Sequence, residues 1–200
     1  MWLAAAAAPI IAMSQRSAKR SARDRPTDER IMSEVLIRAE QVSDIEPIRC
    51  VVTAAFAGVA QSNQKESLLV DELRDRAALR VSLVAEITGH IVGHVAFSPV
   101  TVDGLLCDWF GLAPLAVPPI YQRSGIGSRL VNAGLASLRA IGAKGCVVLG
   151  EPDYYGRFDF VARDKFIVEN VPAQFFIAQS FTGDYPCGKV QYHRAFELCA

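Results

Sequence analysis

Apolar and polar residues alternate from Val35 to Ala39, the two-residue period of a strand with one buried face. Ile45, Ile48, Val52, Phe56 and Val59 then recur at helical spacing. Ser43 and Glu46 stand at capping-box spacing, and Pro47 falls in the first turn, where its missing N–H costs little. Beyond the polar gap Gln61–Gln64 a second helix is expected, with Leu69, Leu73 and Arg76 on one face and a Glu72–Arg76 pair one turn apart.

A meander follows. Val81–Ile87 is β-rich, Gly89 marks a turn over Thr88–His90, and Ile91–Val102 continues as a second strand. Asp103–Gly104 is a hairpin dipeptide leading into Leu105–Val117, a third strand kinked near Pro114. Pro118–Pro119 closes it, because proline cannot donate into a ladder. From Ser124 the period returns to helical: Leu130, Val131, Gly134, Leu135, Leu138 and Ile141 form one apolar stripe, with Gly142 as C-cap. Cys146–Leu149 reads as a short buried strand, Pro152–Phe158 as one or two helical turns, and strands are expected near Phe175–Gln179 and Val190–Phe196. The order β-α-α-β-β-β-α-β-α-β-β describes an α/β (α+β) fold, a mixed sheet flanked by helices.

Composition narrows the chemistry. The 200 residues carry 21 Lys and Arg against 21 Asp and Glu, a balance that calls for neither nucleic acid nor an anionic membrane. Residues 1–33 stand apart as an N-terminal extension, and 34–200 form one domain. The stretch Met1–Met13 is too short and too apolar-first for a membrane span or a secretory signal. Arg16, Lys19, Arg20, Arg23 and Arg25 then follow against Asp24 alone. That composition suits an organellar transit peptide, or an unstructured extension ahead of a start at Met32. Five scattered cysteines without a Cys-x-x-Cys pair argue for reduced thiols, a cytoplasmic setting and no disulfide framework. His90, His94 and His193 have no metal-site spacing, so no metal is expected.

The chemistry lies in Leu115–Leu130. A buried strand ends, a glycine-bearing turn follows, and an amphipathic helix begins. The first amides of a helix lack internal acceptors and sit at the positive end of its dipole. Gly125 and Gly127 let a bulky anion approach the backbone, and Arg123 adds positive charge, so the segment makes a diphosphate cradle. A dinucleotide fingerprint would need a third glycine where Leu130 stands, and no Gly-Lys-Ser/Thr completes a Walker A loop.

Gln122, Gly125 and Gly127 fill the pattern Gln-x-x-Gly-x-Gly, and residues 115–130 resemble the acyl-CoA-binding motif of the GCN5-related N-acetyltransferase (GNAT) superfamily. Gly111–Gly127 is similar to the pattern Gly-x-x-Pro-Leu-Ala-Val-x-Pro-x-Tyr-Gln-x-x-Gly-Ile-Gly of a bacterial group of predicted N-acetyltransferases. Leu149–Phe160 resembles that group's second motif, with Asp159 where glycine is usual, and Val190–Phe196 resembles its closing strand. The resemblance spans residues 35–197. It implies a mostly antiparallel sheet splayed between its fourth and fifth strands. It also implies acetyl-CoA as cosubstrate and direct attack, in a ternary complex, by a primary amine of a small molecule or protein.

Residue by residue, the resemblance assigns Leu115, Ala116 and Val117 to the pantetheine arm and thioester carbonyl. The pyrophosphate falls to Gln122, Arg123, Ser124, Gly125, Ile126, Gly127 and Ser128. It makes Tyr155 the general acid at sulfur, with Tyr154 as the other choice. A lysine-like amine of pKa about 10.4 needs about 4.6 kcal/mol to lose its proton at pH 7, so a base or a water chain must serve it. Glu151 is the candidate base, with Asp108, Glu86 and His94 as alternatives. At Asp159 a carboxylate near sulfur would oppose thiolate departure unless Arg157 or Arg163 neutralised it. That residue and the open question of the base sustain a second reading, a catalytically weak acyl-CoA sensor or partner subunit. Acceptor pockets in the superfamily are built from the first two helices and the late strands, and the chain is expected to be a monomer or homodimer.

Overall fold

The computed structural model describes residues 35–60, 62–169 and 171–199. The expected extension, residues 1–33, lies outside them. The first strand, β1 (Leu36–Ala39), leads through a 3-10 turn at Val42–Asp44 into helix α1 (Ile45–Phe56). Helix α2 (Glu66–Asp75) follows, then the meander β2 (Val81–Ile87), β3 (His90–Val102) and β4 (Leu105–Ala116). Helix α3 (Ile126–Ala140) and strand β5 (Gly145–Leu149) come next, followed by the single-turn helix α4 (Pro152–Tyr155). The tail adds β6 (Val161–Ala162), β7 (Phe166–Ile167), β8 (Phe176–Ser180) and β9 (Gly188–Gln191).

Entry into α1 differs from the expected Ser43–Glu46 box. Asp44 takes the role instead: its carboxylate accepts the Gln41 amide at 2.7 Å and is gripped by the Arg38 guanidinium at 2.6 and 3.0 Å. Glu46 points outward to Arg49. The helix also stops before Val59, because Gly58 turns the chain into the left-handed region at φ 81°. Residues 194–199 form a 3-10 helix rather than the end of a strand. Ala195 and Phe196 are drawn there by the apolar face of α2, where they pack on Leu69 and Leu73.

The sheet order is β1-β2-β3-β4-β5-β8-β6, with β9 pairing both β3 and β7. All pairs along the main path are antiparallel except β4–β5, which is parallel and short: Trp109–Gly111 lie against Gly145–Val147. Beyond Gly111 the two strands part. Leu115 and Ala116 stay paired with Val95 and His94 of β3, while Val148 and Leu149 stay with Ile177 and Phe176 of β8. This is the expected splay between the fourth and fifth strands. The kink at Pro114 coincides with the register shift of β3–β4, at a cis Ala113–Pro114 bond.

Helices cover both faces. On one, Ile126, Leu130, Leu135 and Leu138 of α3 close over Leu83, Ala85, Val95 and Phe97. On the other, Ile48, Val52 and Phe56 of α1 pack over Val84 and Ala116. Among the described residues no helix is long and apolar enough to cross a membrane.

One polar network ties β1, α2, β2 and β3 together. The Glu40 carboxylate accepts Arg74 Nε at 2.8 Å and the Ser82 hydroxyl, and lies 3.8 Å from the Nε2 of buried His94. Burial opposes ionisation of Glu40, but His94, Arg74 and Ser82 outweigh it and hold its pKa down from 4.5 to about 2. A depressed carboxyl contributes stability that is complete above its unfolded value and is lost as pH falls through its folded one. Glu40 should therefore contribute on the order of 3 kcal/mol at neutral pH, lost between about pH 4.5 and 2. In urea unfolding, Glu40→Gln should be less stable at pH 7 and should show a shallower acid slope than the parent. Parallel pH profiles would refute the tie.

Candidate functional site

The cradle is built by a change of backbone direction. After β4 the chain makes a 3-10 turn at Pro119–Tyr121, then Arg123 and Gly125 both take positive φ, 65° and 82°. Gly125 is the N-cap of α3 in the left-handed region, a conformation glycine adopts without steric cost. Two side chains fix the loop onto itself. Gln122 Nε2 donates to the Val117 carbonyl at 2.8 Å, and the Ser124 hydroxyl donates to the Tyr121 carbonyl. The first N–H to close a helical turn is that of Arg129, onto the Gly125 carbonyl at 3.1 Å. The amides of Ile126, Gly127 and Ser128 precede that ladder, and no side chain caps the N-cap.

Gly127 and Ser128 of that first turn line a pocket of about 330 Å³, together with Leu115, Val117, Tyr121, Gln122, Arg123, Gly125, Tyr154 and Arg157. The structure thus brings together seven of the ten residues assigned to the cosubstrate. Of the other three, Ala116 and Ile126 are buried in the apolar core, and Ser124 is buried in its bond to Tyr121. Their side chains face the fold rather than the pocket. Two cations and no carboxylate line the pocket, a charge balance suited to an anion.

Tyr121, Tyr154 and Arg157 enter the lining without having been assigned to it. Tyr154 places its hydroxyl so close to Gly127 that a Cβ there would lie 2.9 Å from it. Burial raises the pKa of Tyr154, and a hydrogen bond with Ser128 works against that rise. Arg157 stacks 4.5 Å over the Tyr154 ring and donates from Nε to the Tyr154 carbonyl at 3.1 Å. The signal for Tyr121 and Arg157 was present, since both lie inside the two motifs. Their direction was not, because it depends on how α4 folds back over the cradle.

Tyr155 points the other way. It is fully buried among Cys146, Phe158 and Phe160, and its hydroxyl has no partner. Burial holds its pKa well above the ordinary value, so it remains a protonated donor. Asp159 takes φ 61°, the left-handed conformation that aspartate tolerates better than most residues, and its side chain is exposed. It lies outside the pocket lining, and neither expected cation neutralises it: Arg157 stacks on Tyr154 and Phe158, Arg163 on Tyr185.

The candidate bases scatter. Asp108 is exposed beside Lys144, and Glu86 is tied to Arg38 at the β1–β2 edge. Glu151 is the N-cap of α4, directly after the strand that leaves the splay. His94 is fully buried on β3, paired across the ladder with Ala116. Burial lowers its pKa, so it is neutral at physiological pH. Its tautomer follows from its neighbours. Ionised Glu40 can only accept, so the one Ser82 proton goes to Glu40. The Ser82 oxygen, 2.8 Å from Nε2, then accepts the imidazole N–H. Nδ1 is left as a buried lone pair without a partner.

Comparison with known proteins identifies the family. Residues 51–156 match the model of the acetyltransferase (GNAT) family. A GNAT family acetyltransferase from Brucella melitensis, solved in complex with acetyl-CoA, is 47% identical. It superposes with a TM-score of 0.74 over 81% of this chain and 97% of its own. The structure of the N-acetyltransferase YhbS from Escherichia coli with CoA is 33% identical, with a TM-score of 0.72 over 82% of this chain and 92% of its own. In sequence, the uncharacterised N-acetyltransferase YhbS of Escherichia coli K12 is 40% identical over 127 residues, 63% of this chain and 73% of its own length. With more than half the chain inside the family match and the two solved relatives covered over 97% and 92% of their lengths, the chain belongs to the acetyltransferase (GNAT) family and is an N-acetyltransferase.

Proposed function

We propose that the protein binds acetyl-CoA with its pyrophosphate on the amides of Gly125–Ser128 and its pantetheine arm along the open edge of Leu115–Val117. The acetyl group then passes to a primary amine of a small molecule or protein, by direct attack in a ternary complex. The observation that carries this reading is the run of unpaired N–H groups at the start of α3, opening onto a cation-lined pocket continuous with the splayed edge of β4. Acetyl-CoA and CoA are the ligands of the Brucella melitensis and Escherichia coli relatives.

Each step falls to a group of suitable state. Arg123 and Arg157 offset phosphate charge, and Gln122 and Ser124 hold the loop rigid before the ligand arrives. The backbone freed by the splay can donate to the thioester carbonyl and stabilise the developing oxyanion. Tyr155, protonated and aligned with the resemblance, delivers a proton to the departing thiolate. Glu151 is one base for the amine. His94 is the second, its Nδ1 buried without a hydrogen-bond partner. The weak-sensor reading leaned on Asp159 and on the open choice of base; the Asp159 side chain is exposed and outside the pocket lining, and the base is left to the test below.

Gly125→Val should abolish the thermal stabilisation given by CoA, because a β-branched residue cannot hold φ 82° without strain. The domain itself should stay folded; unchanged stabilisation would count against the cradle. Free-thiol release from acetyl-CoA, screened against polyamines, aminoglycosides, amino acids and peptides, should identify an acceptor. With that acceptor, Tyr155→Phe should lower kcat about ten- to a hundredfold with little change in KM for acetyl-CoA. The base should show in the acid limb of the kcat/KM pH profile. Loss of that limb in His94→Asn but not in Glu151→Gln would select His94, and the reverse would select Glu151.

A further inference from the structure

Two tyrosine hydroxyls are buried without a hydrogen-bond partner, one brought in from each side of the opened sheet. Tyr155 arrives from α4, in the cluster that α3 covers. Tyr192 follows β9 and packs on the opposite cluster, which contains Trp109, Val147 and Leu149. Its ring lies directly on Gly111: a Cβ at that position would stand 2.4 Å from the ring edge. Gly111 is the last residue of β4 paired with β5, so the ring marks the apex of the splay. Ser98, across the β3–β4 ladder from Gly111, buries a third hydroxyl without a partner. Both tyrosines sit close enough to Cys146 of β5 to feel its charge state, and Tyr155 feels that of Tyr192.

A buried hydroxyl left unpaired is destabilising, and native proteins keep few of them. Two converging on the gap where a strand pair opens are better explained by an acceptor that arrives with a ligand. Both phenols stay protonated at neutral pH because burial disfavours the phenolate. Each therefore has a proton to donate, and a thioester carbonyl offers only lone pairs. We propose that the Tyr192 hydroxyl donates a hydrogen bond to the acetyl thioester, meeting it from the face of the splay opposite Tyr155. The inference rests on the acetyl-CoA reading above and adds to it a residue of the C-terminal segment.

The test needs no acceptor amine. Free CoA lacks the acetyl carbonyl, so Tyr192 should distinguish acetyl-CoA from CoA. By isothermal titration, Tyr192→Phe should raise the Kd for acetyl-CoA about five- to tenfold and leave that for CoA within twofold. Phenylalanine keeps the ring on Gly111 and its stacking with Phe196, 4.9 Å away, and it removes an unpaired oxygen. The unliganded variant should therefore melt no lower than the parent. Equal weakening of both ligands, no change in either, or a variant that melts lower or fails to fold would make the hydroxyl structural and overturn the inference. A parent protein that binds neither ligand would overturn the acetyl-CoA reading itself, a result separate from a loss of selectivity.

Discussion

The functional architecture depends on one electrostatic feature: among the described residues, the first main-chain N–H groups of α3 have no acceptor. Ordinarily a serine, threonine or aspartate at the N-cap would accept one of them. Here the N-cap is Gly125, held at positive φ, and it brings no side chain to the task. The nearest hydroxyl, that of Ser124, is turned back onto Tyr121. The positive end of a fifteen-residue helix is thereby left facing a pocket that holds Arg123 and Arg157 and no carboxylate. An anion with several oxygens, such as a diphosphate, is the complement of such a surface.

The rest of the fold keeps that surface in place and gives the remainder of the ligand somewhere to go. Buried Ile126 and Leu130 anchor the first turns of α3 against the sheet, so the amides cannot rotate away from the pocket. Gln122 ties the loop to Val117, which couples the cradle to the end of β4. The early end of the β4–β5 ladder converts a continuous sheet into a forked one, and the fork starts at Gly111, against which the Tyr192 ring lies. Two buried tyrosine hydroxyls without partners lie on its two faces, Tyr155 in the cluster under α3 and Tyr192 in the opposite cluster, against Gly111. The same burial that keeps the phenols protonated keeps the His94 imidazole neutral.

Much of this was legible in the residues. β-rich runs punctuated by turn residues at Gly89 and Asp103–Gly104 located the meander, and the period-3.6 stripe located α3, which buries one continuous face. The cradle was legible because a left-handed N-cap and a close backbone approach leave a glycine signature at 125 and 127. Long-range pairing was not legible. β9 lies beside β3, some ninety positions earlier, and the 3-10 helix after it forms because Ala195 and Phe196 find the apolar face of α2. The start of α1 misled because Ser43 and Glu46 have the right spacing, while Arg38, a partner supplied by β1, selects Asp44. The direction of Tyr154 against that of Tyr155 was equally hidden. Adjacent residues on a single helical turn point apart, and which of them meets solvent depends on how α4 lies over α3.

The amide protons at the start of α3 are the most direct witness of anion binding there. In a 15N–1H correlation titration of the folded protein with CoA, the amides of Gly125, Ile126, Gly127 and Ser128 should show the largest shifts, moving downfield as they gain charged acceptors, and should exchange more slowly with solvent. Saturable CoA binding that left those four signals unmoved, or shifted amides only elsewhere in the domain, would contradict the account.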